Sequence, residues 1–572
     1  MNILFIIMAT VIIFFIAYHS YGKFLAEKVF QLDDDRTAPS VLLHDGIDYD
    51  PIDAKYLLGQ HFSAIAAAGP ITGPILAGIM FGWVPALIWI VIGSIFVGGV
   101  HDMGSLIASV RHKARSITEV VRENVSNRAW IIFMIFIWIT LVYIIVAFTD
   151  ITTASFVGTV TLENGQKVGG GAIATSSMLY LILPVIMGLL LKHTRLSLNW
   201  ATAIFLPLIG MAIWVGPYIP FNLTDILGSD TAFAQKIWNV IILGYCLIAA
   251  LVPVWALLQP RGHLGGYFLY ISLIVAIIGI ISGGFQVRYP AFTKFDGDTS
   301  DFLFPMFPIL FITVACGACS GFHSLVSSGT TSKQIKKESD ATFIGYGAML
   351  LEGVVAIVAL ATVMILSRED TLIGKAPNFI YASGIGRFLE LIGIPAALGI
   401  SFGLMAFTTF VYDTLDICTR LGRYIIEELT GWRNYWGRIF ATTITAVVPL
   451  FFVTMTVLDA KGNPMPAWKA FWGTFGASNQ LLAGLALIGV TVWVFKTIKG
   501  GKVWIVPLIP AVLMFGLSNW AILSMIQDAW FKDGSLALTA APVPWVCLML
   551  VVLSIMLVFE TIYALGKKSI CD

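Results

Sequence analysis

Two stretches long enough to cross a membrane contain the residues that usually interrupt a membrane helix. The first, 61–78, holds two prolines and several glycines, and the second, 315–329, holds glycines, serines, two cysteines and a histidine. Backbone N–H and C=O groups freed by such breaks cannot face lipid, where each unpaired group costs several kcal/mol. They must line a cavity walled by protein, where they can bind a ligand. Two interrupted spans in corresponding halves of a chain therefore predict the binding site of a transporter.

The first stretch predicts a carboxylate-binding break. Pro70 and Pro74 lack an N–H, so carbonyls one turn earlier should be free acceptors, and Gly69 and Gly73 let a ligand approach the backbone. The half-helix that follows presents N-terminal amides, which suit a carboxylate. Substrate contacts are predicted from Ser63, Ala68, Gly69, Pro70, Thr72 and Gly73. The alternative is a kinked packing helix whose glycines only let neighbouring helices approach.

The second stretch combines backbone freedom with polar groups at membrane depth. Its predicted substrate-binding residues are Gly317, Ser320, Gly321, His323 and Ser324. An ionisable residue inside a membrane is a functional candidate by default, and a histidine can carry a proton near neutral pH. The alternative for His323 is a single hydrogen bond to a helix carbonyl. Cys316 and Cys319 have the spacing of a redox or metal pair, but we expect a structural role because no further ligand accompanies them.

Several other polar residues fall inside apolar segments. Glu352 lies near the middle of its segment and must be protonated, paired or hydrated there, and Asp102 also lies within a span. Both are predicted to take part in ion coupling. His61, at the mouth of the first stretch, either gates or relays protons or is an interfacial histidine satisfied by the backbone. Asp413 is a weaker coupling candidate, because it and Asp416 lie close to Arg420 and an ion pair at the interface would explain them.

Asn479 and Gln480 are polar at membrane depth in a later segment. They either orient the substrate or form hydrogen bonds across helices, since amide side chains do both in membrane interiors. Both are kept as substrate-binding candidates.

Composition identifies the molecule that positions these residues as a polytopic membrane protein. Its 572 residues are 58% hydrophobic and 12% charged, with a mean hydropathy of +0.88. No soluble domain of this size has such a balance, so the lipid bilayer is a predicted partner. A net charge of +1 without basic blocks argues against nucleic acid as a partner. The six cysteines imply no disulfide framework, and the first segment is interpreted as a retained helix.

Hydropathy marks about fifteen spans of membrane length. They lie near 2–18, 61–82, 84–110, 129–149, 174–191, 200–219, 238–258, 265–283, 306–328, 342–366, 393–418, 439–457, 470–495, 503–525 and 544–565. A short helix between 367 and 392 would escape this criterion. Most of the 34 Lys and Arg residues fall in one alternating set of loops. By the positive-inside rule, the N-terminus is predicted outside and the C-terminus in the cytoplasm.

The order of the spans predicts an inverted repeat. Each broken span opens a set of five, and the two sets enter the membrane from opposite sides. The fold class is therefore an all-α polytopic membrane protein with an inverted 5+5 helix repeat, two broken helices and extra peripheral helices. The predicted segments are 1–60, an N-terminal span and acidic loop; 61–220, the first repeat; 221–305, two inserted spans; 306–496, the second repeat; and 497–572, two C-terminal spans.

Five motifs, in this order, resemble the carbon starvation protein CstA family. They are His61–Pro74, Val100–Met103 followed by Val110–Ile117, Ala315–Thr331, Gly345–Leu350 and Phe475–Gly484. The resemblance covers about 55–490 and implies a bacterial inner-membrane carrier of the amino acid/polyamine/organocation superfamily. It also implies a LeuT-like core, so that the fold is a LeuT-like inverted 5+5 repeat, and import of short peptides or pyruvate with a coupling cation. The chain is shorter than the longer members, and Cys319 stands where an aliphatic residue is expected.

The coupling ion is either a proton or sodium. By analogy with the LeuT-like fold, Thr408 and Thr409 would face the carbonyls freed by the first break and bind sodium, although threonines also bond back to their own helix. Buried His323 and Glu352 favour a proton. No cofactor or firm metal site is predicted, and the oligomeric state is left open.

Other classes of protein fit less well. A membrane enzyme would need a nucleophile and base or a metal cluster, and no HExxH, GxSxG or phosphate-binding loop is present. A receptor would need a larger soluble domain. A channel is the nearest rival, because broken helices also line pores. A sodium-coupled carrier of a small organic anion or amino acid is the main alternative to proton-coupled import.

Overall fold

The computed structural model describes residues 1–45, 49–161, 165–293, 306–458, 464–498, 501–532, 535–536, 538 and 541–568. Its helices are α1 Ile3–Ala17, α2 Pro39–Leu42, α3 Ala54–Ile65, α4 Gly69–Phe81, α5 Trp83–Gly93, α6 Gly99–Arg111, α7 Ile117–Asn124, α8 Asn127–Val157, α9 Gly170–His193, α10 Leu198–Val215, α11 Leu223–Leu227, α12 Thr231–Leu251, α13 Leu258–Gly283, α14 Met306–Thr313, α15 Ala315–Ala318, α16 Phe322–Gly329, α17 Gly347–Met364, α18 Pro377–Glu390, α19 Ala396–Thr430, α20 Tyr435–Thr454, α21 Ala467–Thr497, α22 Ile505–Trp530 and α23 Pro542–Lys568.

Short elements complete the secondary structure. π-Helical turns at Tyr18–Gly22, Leu25–Val29, Ser94–Gly98 and Thr342–Tyr346 lie at the ends of longer helices, and 3₁₀ turns occur at Gly216–Tyr218, Val254–Ala256 and Thr331–Lys333. Three small antiparallel hairpins pair β1 Thr159–Thr161 with β2 Lys167–Gly169, β3 Val457–Leu458 with β4 Pro464–Met465, and β5 Phe531–Lys532 with β6 Ser535–Leu536.

The membrane spans agree with the ranges expected from hydropathy. Counted through their π-turns, thirteen helices in the described part of the chain are long and apolar enough to cross a membrane, and α3 with α4 forms one more span bent by 49°. The predicted span 306–328 corresponds to three short helices, α14 to α16. The 367–392 region holds α18, the short helix that hydropathy does not detect.

Contacts between loops confirm the alternation of the two membrane faces. On the face we call the basic face, defined by loops 30–53, 112–126 and 330–341, the Asp50 N–H donates to the Lys333 carbonyl at 3.2 Å and Arg111 pairs with Glu338 at 2.8 Å. On the opposite face, the Val287 N–H donates to the Met1 carbonyl at 2.9 Å. The loops predicted to share a side therefore do so.

The two sets of five helices pack as the inverted repeat requires. α4, from the first broken helix, packs on α17 of the second repeat. In the same way α16, from the second broken segment, packs on α6 of the first repeat, and the third helices of the two repeats, α8 and α19, pack on each other. α12 and α13 are inserted between the sets and pack on α20 and α3 respectively. The protein is thus an all-α polytopic membrane protein of LeuT-like architecture, with the ends of both broken helices in its interior.

The described cysteines are buried and unpaired. Cys571 lies outside the described residues. A role in packing agrees with the structural interpretation of Cys316 and Cys319, because buried free cysteine behaves as a small apolar residue.

Candidate functional site

The first break separates α3 from α4 over three residues. α3 ends at Ile65 and α4 begins at Gly69, with Pro70 in its first turn, where the missing N–H removes no helix bond. The Ala64 carbonyl, in the last turn of α3, accepts a hydrogen bond from the Thr414 hydroxyl of α19 at 3.3 Å. A carbonyl freed near the break is therefore met by α19 rather than by lipid.

The glycines of the first break lie directly against the second broken segment. A Cβ added to Gly69 would lie 2.3 Å from Cys316 Sγ, and one added to Gly73 would lie 2.4 Å from the Thr313 carbonyl oxygen. In this conformation both glycines permit close helix packing, as the alternative interpretation requires. Substrate binding stays a prediction for the residues of this break, all of which are buried: Ala68, Gly69, Pro70, Thr72 and Gly73.

Asn479 of α21 holds the second break together. Its Oδ1 accepts the Phe322 N–H at 3.0 Å, its Nδ2 donates to Ser320 Oγ at 3.0 Å, and its carbonyl accepts the Gly321 N–H at 3.0 Å. Gln480 donates to a carbonyl of α14 at 2.7 Å. Both amides thus bond across helices here, the alternative left open by the sequence. Of the other residues at this break, Ser324 donates to the carbonyl of Gly321 at 2.7 Å, and Gly317 packs on Ala356 of α17.

Four titratable side chains meet between α6, α16 and α17, and we call them the central cluster: His101, Asp102, His323 and Glu352. His323 Nδ1 lies 2.8 Å from Asp102 Oδ2, and its Nε2 lies 3.2 Å from Glu352 Oε2. The other Asp102 oxygen lies 2.8 Å from His101 Nδ1. All four side chains are buried without solvent exposure. The structure thereby brings together three of the predicted residues and adds His101.

The central cluster is incompletely hydrogen-bonded. His323 Nε2 and Glu352 Oε2 are close enough for an ion pair but are not aligned as a hydrogen bond. Both Glu352 oxygens lack a hydrogen-bond partner among the described residues. His101 Nε2 also lacks one. Buried carboxylates and imidazoles in this state are costly unless their charges are balanced.

A cavity open to the basic face lies beside the first broken helix. Its lining includes His61, Ala64, Lys333 and Asp413. His61 Nδ1 lies 2.8 Å from the Thr331 hydroxyl, while its Nε2 has no partner among the described residues. His61 therefore lines the cavity, and its role in ion coupling stays a prediction.

The expected pairing of Asp413 and Asp416 with Arg420 is wrong. Both carboxylates contact Arg261 of α13, with Arg261 Nε 2.6 Å from Asp413 Oδ1. Arg420 instead donates to backbone carbonyls that include the one of Val252, at 2.7 Å. These side chains are buried rather than interfacial, because α13 packs along α19. Arg261 lies in a loop by hydropathy, so the sequence carried no signal of its partners.

Thr408 bonds back to its own helix, which is the alternative that the sequence left open for the threonine pair. Thr408 Oγ1 lies 3.0 Å from Ser177 of α9 and also bonds back to the Met405 carbonyl, and Thr409 Oγ1 has no partner among the described residues. The hydroxyl of α19 that reaches the first broken helix belongs to Thr414. Ser63, also on that helix, donates to Asp413 at 2.5 Å.

Comparison with known proteins places the chain in a family. The model of the family "Carbon starvation protein CstA" matches residues 2–378 and 368–521. The peptide transporter CstA of Helicobacter pylori is 32% identical over 91% of this chain and 81% of its own length. The peptide transporter CstA of Escherichia coli is 30% identical over 93% of this chain and 81% of its own length. The pyruvate/proton symporter BtsT of Escherichia coli is 29% identical over 91% of this chain and 81% of its own length.

Among solved structures, a mutant of the Eremococcus coleocola manganese transporter aligns over 91% of this chain and 98% of its own, with 14% identity and a TM-score of 0.45. The family match extends over nearly the whole chain and includes both broken helices and the central cluster. The chain belongs to the carbon starvation protein CstA family.

Proposed function

We propose that this chain is a secondary active transporter that imports short peptides or pyruvate across the bacterial inner membrane, with protons as the coupling ion. The relatives that align over most of this chain are named as peptide transporters and a pyruvate/proton symporter. The observation that carries the proposal is the position of His323, on the second broken helix, between Asp102 of α6 and Glu352 of α17.

This geometry supports proton coupling through relative movement of helices. With α16 against α6 and α17, a proton on His323 faces two carboxylates and is stabilised by both. A shift of α16 that opens the path to the other face would separate these charges and favour release of the proton. Because α16 also forms the second break, proton release and substrate release would be linked.

The membrane potential provides enough energy for this import. One positive charge moving inward gains about 2.3 kcal/mol per 100 mV. That energy concentrates a neutral peptide about fiftyfold at one proton per substrate. For pyruvate, one proton makes transport electroneutral, so the pH gradient alone would drive it. In this arrangement the basic face is cytoplasmic, with the N-terminus outside.

Purified protein in liposomes tests the proposal. Labelled pyruvate and a labelled dipeptide are offered separately and in competition, while a pH gradient and a sodium gradient are imposed one at a time. We expect accumulation of at least one substrate with the pH gradient and counterflow of labelled against unlabelled substrate. Accumulation driven only by sodium would overturn the proton assignment, and flux without counterflow would indicate a channel.

A further inference from the structure

A second buried charge cluster lies between α3, α12, α13 and α19, separate from the central cluster. Its centre is Arg261, whose guanidinium contacts Asp413, Asp416 and the Tyr245 hydroxyl. Tyr245 in turn donates to Asp416 at 2.9 Å. We call these four residues with Ser63 the arginine site.

The charges of the arginine site do not cancel. One guanidinium faces two carboxylates, and exposure is 0% for Arg261, 3% for Asp413 and 2% for Asp416. Such burial is tolerated only because the cation is present, since an unpaired buried carboxylate has a large desolvation penalty. Asp416 Oδ1 and the nearby buried Tyr180 hydroxyl have no partner among the described residues. The site therefore has spare oxygen ligands even with the arginine in place.

The atoms around the guanidinium are those that bind hard cations. They are carboxylate and hydroxyl oxygens. Next to Asp413 and Ser63 in sequence, the Thr414 hydroxyl donates to the Ala64 carbonyl, so two more oxygen atoms lie beside the site. Oxygen sets of this kind suit hard ions rather than soft ones. Ser63 and Ala64 belong to the first broken helix, whereas Asp413, Asp416 and Thr414 belong to α19. A cation at this place joins the first broken helix to α19.

The geometry points to Arg261 as a tethered cation that holds α3 to α19 in place of a diffusible ion. The native protein then needs no sodium at this interface. Removal of the guanidinium would leave two carboxylates, with hydroxyl oxygens from Ser63, Tyr180 and Tyr245, around an empty volume. Asp413 and the neighbouring Gly262 line the cavity that opens to the basic face, so an ion from solution could enter. The variant would therefore acquire a site for a small monovalent cation.

Thermal unfolding of purified protein tests this inference without substrate. Native protein, Arg261→Ala and Arg420→Ala are each heated in sodium chloride and in choline chloride at equal ionic strength. We expect the same unfolding temperature in both salts for native protein. Arg261→Ala should unfold about 2 °C higher in saturating sodium than in choline, because ligand binding stabilises the folded state.

Arg420→Ala is the matched control. It also removes a buried arginine from this region, but Arg420 donates to the carbonyls of Ala249 and Val252. In the part of the chain that the structure describes, its removal leaves no carboxylate without an ion-pair partner. Its unfolding temperature should be equal in the two salts. A sodium-specific increase in this variant as large as that in Arg261→Ala would overturn the inference.

A triple variant covers the case in which Arg261→Ala folds poorly. Arg261→Ala/Asp413→Asn/Asp416→Asn has no buried charge at the arginine site and should fold equally in both salts. Recovery of folded Arg261→Ala from membranes only in sodium supports the inference. Two results would overturn the inference. Either Arg261→Ala fails to fold in both salts while the triple variant folds, or Arg261→Ala unfolds at the same temperature in both salts. Each result would show that the carboxylates recruit no cation. Since no arm uses transport, failure of the proton assignment is distinguished from failure here.

Discussion

At the scale of single residues, Glu352 is the most informative side chain of the central cluster. It approaches His323 at 3.2 Å but has no aligned hydrogen bond among the described residues. Asp102, by contrast, is held from both sides by His101 and His323. Glu352 is therefore the carboxylate of the central cluster with fewer contacts.

Glu352→Gln should separate coupling from translocation. A glutamine cannot exchange a proton, so accumulation of a neutral dipeptide should fall from about fiftyfold at 100 mV to about onefold. Exchange at equal concentrations should persist, because it needs no net proton movement. Both are measured in liposomes, with Glu27→Gln, an exposed carboxylate, as the control. Equal loss of accumulation and exchange would instead indicate a packing role for Glu352.

At the scale of helices, one contact joins the two broken segments, and one carboxylate joins the helices around them. The contact of Gly69 with Cys316 brings the two breaks together. Asp150 of α8, which the sequence analysis overlooked, accepts the Trp468 N–H at the start of α21 at 2.8 Å, and also hydrogen bonds from Asn239 and Gln235 of α12. A carboxylate at a helix N-terminus is favourable for both hydrogen bonding and the helix dipole.

Gly69→Ala should abolish uptake while the protein remains in the membrane. The added methyl group would overlap Cys316 Sγ, and overpacking of this kind is typically unfavourable by about 1–3 kcal/mol. Uptake and the amount of membrane-inserted protein are measured together. Cys316→Gly in the same chain removes the overlapping side chain and should restore part of the uptake. Full uptake by Gly69→Ala alone would show that the two breaks need not approach each other.

Asp150→Asn should lower stability by about 1–3 kcal/mol, because a buried charged acceptor that serves several donors is replaced by a neutral amide with fewer acceptor sites. Thermal unfolding in detergent measures the change. Asp230→Asn is the control, since Asp230 caps α12 at an exposed end and asparagine is an equally good N-cap. If both variants unfold at the native temperature, the Asp150 contacts contribute little.

At the scale of the whole molecule, loop contacts group the connections onto two faces, and the distribution of basic residues orients those faces. Lys337 and Gln286 are exposed on the basic and opposite faces respectively. The described native cysteines are buried, so a single introduced cysteine can report the side of the membrane.

Membrane-impermeant maleimide should label Gln286→Cys but not Lys337→Cys in intact spheroplasts, with Cys571→Ser in both. After the membrane is made permeable, both should be labelled. The physical reason is that basic loops are retained in the cytoplasm during insertion. The reverse pattern would mean that the basic face is outside and that the inferred direction of import must be inverted.

Local sequence was enough to determine the spans, their order and the two breaks. Hydropathy depends on the composition of each segment, and Pro70 or Gly321 alters the backbone wherever it lies. The inverted repeat follows from counting spans, because each one reverses the side of the chain. His323, Glu352 and Asp102 were also identifiable singly, since a titratable group at membrane depth is conspicuous without any knowledge of its partner.

Only the tertiary structure decided which polar groups meet. Arg261 and Asp413 are 152 residues apart. By hydropathy Arg261 lies in a loop, and no sequence pattern shows that a helix so distant in sequence packs beside it. For the same reason, sequence proximity wrongly assigned Arg420 to these carboxylates, and the packing role of Gly69 and the capping role of Asp150 were not visible. Apolar segments specify that a helix is buried, whereas the partners of its few polar atoms depend on the rotation and packing of neighbouring helices, which no single segment encodes.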